Sequence, residues 1–240
     1  MTQTLLLSDL HLPLQASPLR EAFAGFLAGP ARRAEAVYIL GDLFEYWIGD
    51  DAGLRDYAAE VLELRALADS GVRVRLMHGN RDFLVGRRFA EAAGVELLRD
   101  PLRLELGGVP TLLSHGDRWC TDDRAYQRWR RFSRNPLAQR LFGLLPEARR
   151  RGIAGTARKQ SEMDKSHKPS AIMDVNEAAV RAAFRRHGVT RIIHGHTHRP
   201  AEHHYDLDGG PRERIVLADW RPEHREYLVC DGAGLRRQTL

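Results

Sequence analysis

A chain of 240 residues, 43% hydrophobic and 29% charged, is long enough for one domain with a substantial core, or for one domain carrying an insert. It has no apolar run long enough to cross a membrane as a helix, and it reaches Asp9 too early for a cleaved signal peptide to be expected. The net charge of +5 hides an asymmetry: Arg124–Lys168 holds 13 Lys+Arg and three acids, a local +10, which leaves the remainder at −5. A mildly acidic body with a strongly basic segment predicts an anionic partner for that segment. Two cysteines, Cys120 and Cys230, make neither a metal-site spacing nor a disulfide framework, so a reducing cytoplasm is the expected compartment.

Thr4–Leu7 reads as a strand and Ser8-Asp9-Leu10-His11 as its exit. Asp9 and His11, at i and i+2 of an extended segment, can offer an oxygen and an imidazole nitrogen to one divalent cation, although a solvated turn is the simpler reading of D-x-H alone. Leu19–Ala28 predicts a helix with Ser17 as N-cap and Pro18 at its first position. Val37–Leu43 is an apolar run stopped by Gly41 and Asp42, a buried strand that leaves a carboxylate at a sheet rim, where open α/β sheets bind ligands. Asp42 is the centre of a repeated device: apolar runs ending in Asp9, Asp42, Asn80, His115 and His196. Phe44, Tyr46 and Trp47 read as core, and Asp50 and Asp51 as caps of a helix over Leu54–Ala68.

Val72–Met77 is the third expected strand, running into His78-Gly79-Asn80-Arg81-Asp82-Phe83. An amide oxygen suits a cation already loaded with carboxylate, and Arg81 can grip a phosphate with two donors; a polar turn with a surface Arg–Asp pair is the competing reading. Leu102–Leu106 and Val109–Ser114 predict a hairpin turning at Gly107-Gly108 and ending in His115, which alone would be read as a satisfied core histidine. Between Asp122 and Lys168 the strand–helix rhythm stops. Ala125–Arg134 and Pro136–Leu145 read as amphipathic helices with Trp129, Phe132, Leu137, Leu141, Phe142, Leu144 and Leu145 among arginines. Such a pair fits a lipid surface, where anionic headgroups add about 1 kcal/mol per nearby basic residue. An ordinary solvated hairpin competes, and nucleic acid is disfavoured because no RNP or zinc-finger pattern is present. Ser161, Lys165 and Lys168 follow in a polar stretch that either covers a ligand or faces solvent.

Asp174–His187 predicts a helix capped by Gly188, and Arg191–Ile193 a strand leading into His194-Gly195-His196-Thr197-His198. His196 and His198 can serve two neighbouring cations, and His194 reads as structural or as support behind them. Arg214–Ala218 and Glu226–Cys230 are expected closing strands, with His203, His204 and His224 at the surface.

Asp-x-His, Gly-Asp, Gly-Asn-Arg-Asp, His and Gly-His-Thr-His, in this order and each after an apolar strand, resemble the calcineurin-like metallophosphoesterases from Asp9 to His198. DLHL, YILGDLFEYWIGDD, HGNRDFL, LSHGDRWCTDD, KPSAIMDVN and HGHTHRP resemble more narrowly the branch that cleaves the pyrophosphate of a diacylated UDP-sugar in lipid A biosynthesis. The resemblance implies an α/β fold, a sandwich of two mixed β-sheets flanked by helices. It implies one domain over 1–240, with residues 122–168 as a helical lid insert. It implies two Mn2+, one on Asp9, His11, Asp42 and His198, the other on Asp42, Asn80, His115 and His196, with Asp42 bridging. A shared carboxylate offsets the repulsion of two close cations, and a nitrogen–oxygen set without thiolate suits manganese, iron or zinc. By the same resemblance, Asp42, Asn80, Arg81 and His115 serve catalysis, and Asn80, Arg81, Asp123, Ser161, Lys165, Lys168 and His196 contact substrate. The implied partners are a lipid-linked UDP-sugar and the anionic cytoplasmic face of the inner membrane, with no nucleic acid and no obligate protein partner.

Arg81 departs from the broad family, many of whose members carry histidine after Gly-Asn to assist the leaving group. A sugar 1-phosphate, with a second pKa of about 6 by analogy with phosphoserine, departs without a proton donor. The competing functions are a phosphoesterase for dinucleoside polyphosphates or nucleic acid, and a basic adaptor for membranes or RNA with a vestigial metal site.

Overall fold

The computed structural model describes residues 3–167 and 174–240, without the side chains of 160–162 and 164–167. Strand β1 (Thr4–Leu7) shows how the layers arise: Leu5 and Leu7 pack into one buried cluster and Leu6 into another, as the two-residue period of a strand requires. β2 (Ala36–Ile39), β3 (Arg73–Met77) and β4 (Val95–Leu98) continue beside it in parallel, through crossovers that hold α1 (Pro18–Ala28), α2 (Asp50–Asp56), α3 (Ala58–Asp69) and α4 (Arg87–Ala93). Phe23, Phe26, Leu64, Leu67 and Phe89 from these helices bury the outer face of the sheet over Leu5, Leu7, Val37, Ile39, Val74 and Leu76.

The second sheet begins with the hairpin β5 (Leu102–Leu106) and β6 (Val109–Ser114), whose turn glycines Gly107 and Gly108 have φ of 60° and 76°. Helices α5 (Arg124–Ser133), α6 (Pro136–Gly143), α7 (Glu147–His167) and α8 (Glu177–His187) follow. β7 (Arg191–His194) then pairs in parallel with β6, and β8 (Ala201–Leu207) and β9 (Gly210–Val216) complete the order β5-β6-β7-β9-β8. β10 (Glu226–Asp231) and β11 (Gly234–Thr239) return to the first sheet, giving β11-β10-β1-β2-β3-β4. Leu6, Tyr38 and Met77 meet Leu113, Ile193 and Ile215 between the sheets, and Val180 and Phe184 of α8 cover Leu112 and Ile192 outside. The chain is thus the α/β sandwich of two mixed, helix-flanked sheets, with a helical insert between β6 and α8.

Several local expectations shift. The helix over Leu54–Ala68 is two helices, α2 and α3, interrupted at Tyr57, whose ring is buried against Phe44 at 4.3 Å and whose hydroxyl donates to the Leu12 carbonyl at 3.1 Å. Asp50 does not cap that segment from outside; it begins α2, and its carboxylate accepts from Gly86 N (2.8 Å), Phe89 N (3.2 Å) and Trp47 Nε1 (3.0 Å), capping α4 from a distance. Asp51 pairs with Arg150 of α7. Helix α8 starts at Glu177 rather than Asp174, because Asn176 caps it by accepting from Ala179 N at 3.1 Å. The polar stretch holding Ser161 and Lys165 is the end of the 21-residue α7, with both side chains outside the described residues, as is the whole of Lys168. No helix among the described residues is long and apolar enough to cross a membrane.

Asp50→Ala is expected to lower stability by about 1–2 kcal/mol, since it orphans the first amides of α4. Chemical denaturation followed by circular dichroism measures this, and an unchanged midpoint would contradict the capping role.

Candidate metal centre

The exits of β1, β2 and β3, neighbours in one sheet, and of β6 and β7, neighbours in the other, meet at one rim. Each exit delivers a side chain: Asp9 and His11, Asp42, Asn80, His115, and His196 and His198. The exits are not extended. Asp9, His11, Asp42, His196 and His198 have φ between 48° and 69°, the left-handed region, and among the described residues the other such non-glycine residue is Asp208 in the β8–β9 turn. Asp and His tolerate this conformation better than most, yet it costs about 1–2 kcal/mol per residue. The i, i+2 argument names two residues that do fall in one potential ligand group, but it assumes the wrong backbone. Curled exits, held together by Asp9 N to Gly41 O at 3.0 Å and His11 N to Asp42 O at 2.9 Å, aim the side chains inward.

Among the described residues two groups of potential ligands result, Asp9–His11–His198 and Asp9–Asp42–His115, with Asp9 in both. The sequence places Asp9 on one ion only, so its double membership adds to that assignment. A single oxygen, Asp42 Oδ2, lies 3.8 Å from His11 Nε2 and 3.9 Å from His115 Nε2, between the groups. His198 Nε2 stands 3.4 Å from Asp9 Oδ1 and 3.2 Å from His11 Nε2, and Asn80 Oδ1 stands 3.1 Å from His115 Nε2. His196 is in neither group. Its ring lies 5.0 Å from that of His115 and stacks on Tyr126 at 5.8 Å, while its backbone N–H donates to Asp9 Oδ2 at 2.8 Å.

This arrangement fits divalent cations. Asp9 Oδ1 is buried without a hydrogen bond. His115 Nδ1 is spent on the Leu40 carbonyl at 2.9 Å, which leaves Nε2 facing the Asn80 oxygen; two acceptors at that range need a proton or a cation between them. The same holds for the facing Nε2 atoms of His11 and His198. Space is reserved: a Cβ on Gly79 would sit 2.0 Å from Asp42 Oδ1, and one on Gly195 would sit 2.2 Å from Asp9 Oδ2. The electrostatics follow from burial. Burial works to raise Asp9, but His198, His115 and His11 outweigh it and hold the carboxyl well below its usual range. Burial pushes Asp42 up, opposed by His115 and reinforced by Asp82 and Asp9. Burial opposes protonation of His115, yet Asp42, Asp9 and Asp117 lift it to about 9.

A sequence profile described as "Calcineurin-like phosphoesterase" matches residues 2–200. The chain is a calcineurin-like phosphoesterase. It is similar to a UDP-2,3-diacylglucosamine hydrolase of Nitrosococcus oceani, 51% identical over 231 residues that cover 96% of this chain and 92% of the relative. It is likewise similar to proteins of the same name from Pseudomonas aeruginosa, 51% identical over 90% of each chain, and Aeromonas hydrophila, 48% identical over 95% of this chain and 94% of the relative. Family membership and the Asp/His groups make it a metal-dependent phosphoesterase.

Around the centre of this calcineurin-like phosphoesterase a cavity of about 1120 Å³ opens, lined by the polar Asp42, Asn80, Arg81, Asp123, His196 and His198 and by the apolar Phe83, Leu84, Trp129, Phe142 and Ile153. Cys120, whose relation to the site the sequence leaves open, also lines it. Asp123 caps α5 by accepting from Tyr126 N at 3.0 Å. His194 is structural: fully buried, its Nδ1 faces Gly195 O at 2.8 Å and its Nε2 faces Arg214 at 3.2 Å, and burial with Arg214 lowers it to about 3. The sequence expectations pass over three acids. Asp82, fully buried, accepts from Leu43 N (2.8 Å) and Gly79 N (2.7 Å), tying the Asp42 exit to the Asn80 exit. Glu45 lies 3.7 Å from His11 Nδ1. Asp219 lies 3.5 Å from His198 Nδ1 and carries the same signal as the ligands, an apolar run (Ile215–Ala218) ending in a carboxylate.

Manganese uptake at pH 7 is expected to release protons, because His115 holds its second proton up to about pH 9 and the cation displaces it. The release should shrink as pH rises through that value and His115 becomes neutral unaided. Calorimetry in buffers of different ionisation enthalpy measures it; a heat independent of buffer at pH 7 would contradict the site.

Proposed function

We propose that this chain hydrolyses the pyrophosphate of UDP-2,3-diacylglucosamine through water attack on the phosphorus nearer uridine, yielding UMP and 2,3-diacylglucosamine 1-phosphate for lipid A biosynthesis. The observation that carries this reading is near-full-length identity of 48–51% to hydrolases named for that substrate. Asp9, His11, Asp42, Asn80, His115, His196 and His198 would hold two divalent cations, with manganese the reading we favour for a set of nitrogen and oxygen donors. Such ions, when bound, supply an activated water and neutralise charge on phosphoryl oxygens.

The protein's own residues do the positioning. Arg81 lines the cavity with Asp42, to which its backbone N–H donates at Oδ1 (2.7 Å), and its guanidinium would reach a phosphate bound there. There it would neutralise the pyrophosphate and the departing sugar phosphate. Asn80, Asp123 and His196 would contact the same substrate, and so would Ser161, Lys165 and Lys168. Phe83, Leu84, Trp129, Phe142 and Ile153 give the cavity an apolar part for acyl chains, which a dinucleotide would not use. Residues 122–168 would act as the lid that closes it.

A substrate with acyl chains has to be taken from a bilayer. Phe132 of α5, Leu137 and Leu141 of α6 and Leu144 just past it are 62%, 65%, 57% and 76% exposed, and arginines lie among them in sequence. That face would rest on the anionic cytoplasmic leaflet of the inner membrane.

Turnover of the diacylated UDP-sugar with manganese in oxygen-18 water is expected to label UMP; label in the sugar phosphate would reject the attack proposed, and no turnover would reject the substrate. A chain carrying Leu137→Asp, Leu141→Asp and Leu144→Asp should bind vesicles rich in phosphatidylglycerol roughly tenfold or more weakly. Unchanged co-sedimentation would place the membrane contact elsewhere.

A further inference from the structure

We propose that Asp219 is a positioning residue, whose carboxylate holds the His198 imidazole so that Nε2 is offered to the Asp9–His11–His198 group. This rests on the reading that the group holds a cation.

Two inward-facing histidines of the two groups have an acceptor behind the outer nitrogen. For His115 it is the Leu40 carbonyl at 2.9 Å and for His198 it is Asp219 Oδ2 at 3.5 Å from Nδ1, whereas Glu45 stands 3.7 Å from His11 Nδ1, beyond hydrogen-bond distance. An acceptor at Nδ1 favours the tautomer that carries hydrogen there and leaves the Nε2 lone pair for a cation; a carboxylate also increases the basicity of that nitrogen. The constraint matters most at His198, which has φ of 54° in the curled exit of β7 and whose side chain is 26% exposed. Asp219 comes from another part of the chain, just past β9, and is 9% exposed.

The Asp219 carboxylate is itself held. Arg221 Nε donates to Oδ2 at 2.8 Å, so the oxygen that faces His198 is fixed from the far side. The next residue anchors the loop at both ends: Trp220 N donates to the Asp9 carbonyl at 3.0 Å, and its indole N–H donates to Glu226 O at 2.8 Å. The indole packs edge-on against Phe23 and Phe26, at 6.4 Å and 5.9 Å. One short segment therefore touches two members of the same ligand group, Asp9 through its backbone and His198 through Asp219. Replacing a partner of this kind costs about 10–100-fold in metal affinity.

The test titrates manganese into the full-length wild type and the variants Asp219→Ala, Asp219→Asn and Arg221→Ala, following calorimetry and the manganese electron paramagnetic resonance signal. Circular dichroism melts of the same samples report folding. The wild type should take up two ions. Asp219→Ala should keep one at wild-type affinity and bind the other about 10–100-fold more weakly. Asp219→Asn keeps an oxygen toward Nδ1 and should show a smaller loss, which carries the test if the alanine variant fails to fold. Arg221→Ala frees the carboxylate without removing it, so it should bind that ion more weakly than wild type but more tightly than Asp219→Ala. Two ions at wild-type affinity in both Asp219 variants overturn the proposal alone, as does a loss in Arg221→Ala greater than that in Asp219→Ala. No uptake by the wild type overturns the metal centre and the proposal together.

Discussion

The structure turns on a concentration of inward-facing acceptors that only positive charge can reconcile. Two buried carboxylates, Asp9 and Asp42, share a rim with the inner imidazole nitrogens of His11, His115 and His198. Without a cation the protein falls back on protons, which is why His115 is lifted to about 9 and Asp42 is pushed up by burial. Five of the residues involved hold left-handed backbone, a strain the fold tolerates because the exits are bonded to one another and packed on two sheets. Glycines at 79 and 195 are the counterpart of that crowding, since a methyl group at either would occupy the carboxylates' own space.

From this rim the remainder of the site follows. Asp117, buried next to His115 in sequence, accepts from Tyr126 OH at 2.7 Å and Arg130 Nε at 2.8 Å, and Arg134 donates to the Gly79 carbonyl at 2.9 Å. Helix α5 is thereby fastened to the loop that carries Asn80, and its Trp129 lines the same cavity as Asn80. The basic segment is partly spent on such internal bonds: Arg130, Arg134, Arg150 and Arg151 all pair with acids of the body. The local charge of +10 is consequently larger than the charge this face presents to a membrane.

What the sequence reveals is what is local. An apolar run ended by Asp, Asn or His is readable residue by residue, and so are the β1 bounds, the Gly107-Gly108 hairpin and the Ser17 cap, which accepts from Arg20 N. The pairing of two sheets came from family resemblance, because period-two burial says that a strand is covered on both faces and not by what. Helix α7 escaped because its polar, glycine-containing sequence has no sustained apolar stripe, and its arginines bond to Asp51 and Asp56 far along the chain. The role of Asp50 is hidden for the same reason: its capping partners are 36 and 39 residues away. Asp219 bore the right signature, but its histidine lies beyond two intervening strands.

Anomalous diffraction at the manganese edge, from crystals of the full chain grown with manganese, addresses the central claim directly. Two peaks are predicted, one within coordinating distance of Asp9, His11 and His198 and the other of Asp42, Asn80 and His115, with a carboxylate oxygen common to both. A single peak, or manganese bound away from the strand exits while these side chains remain hydrogen-bonded to one another, would contradict it.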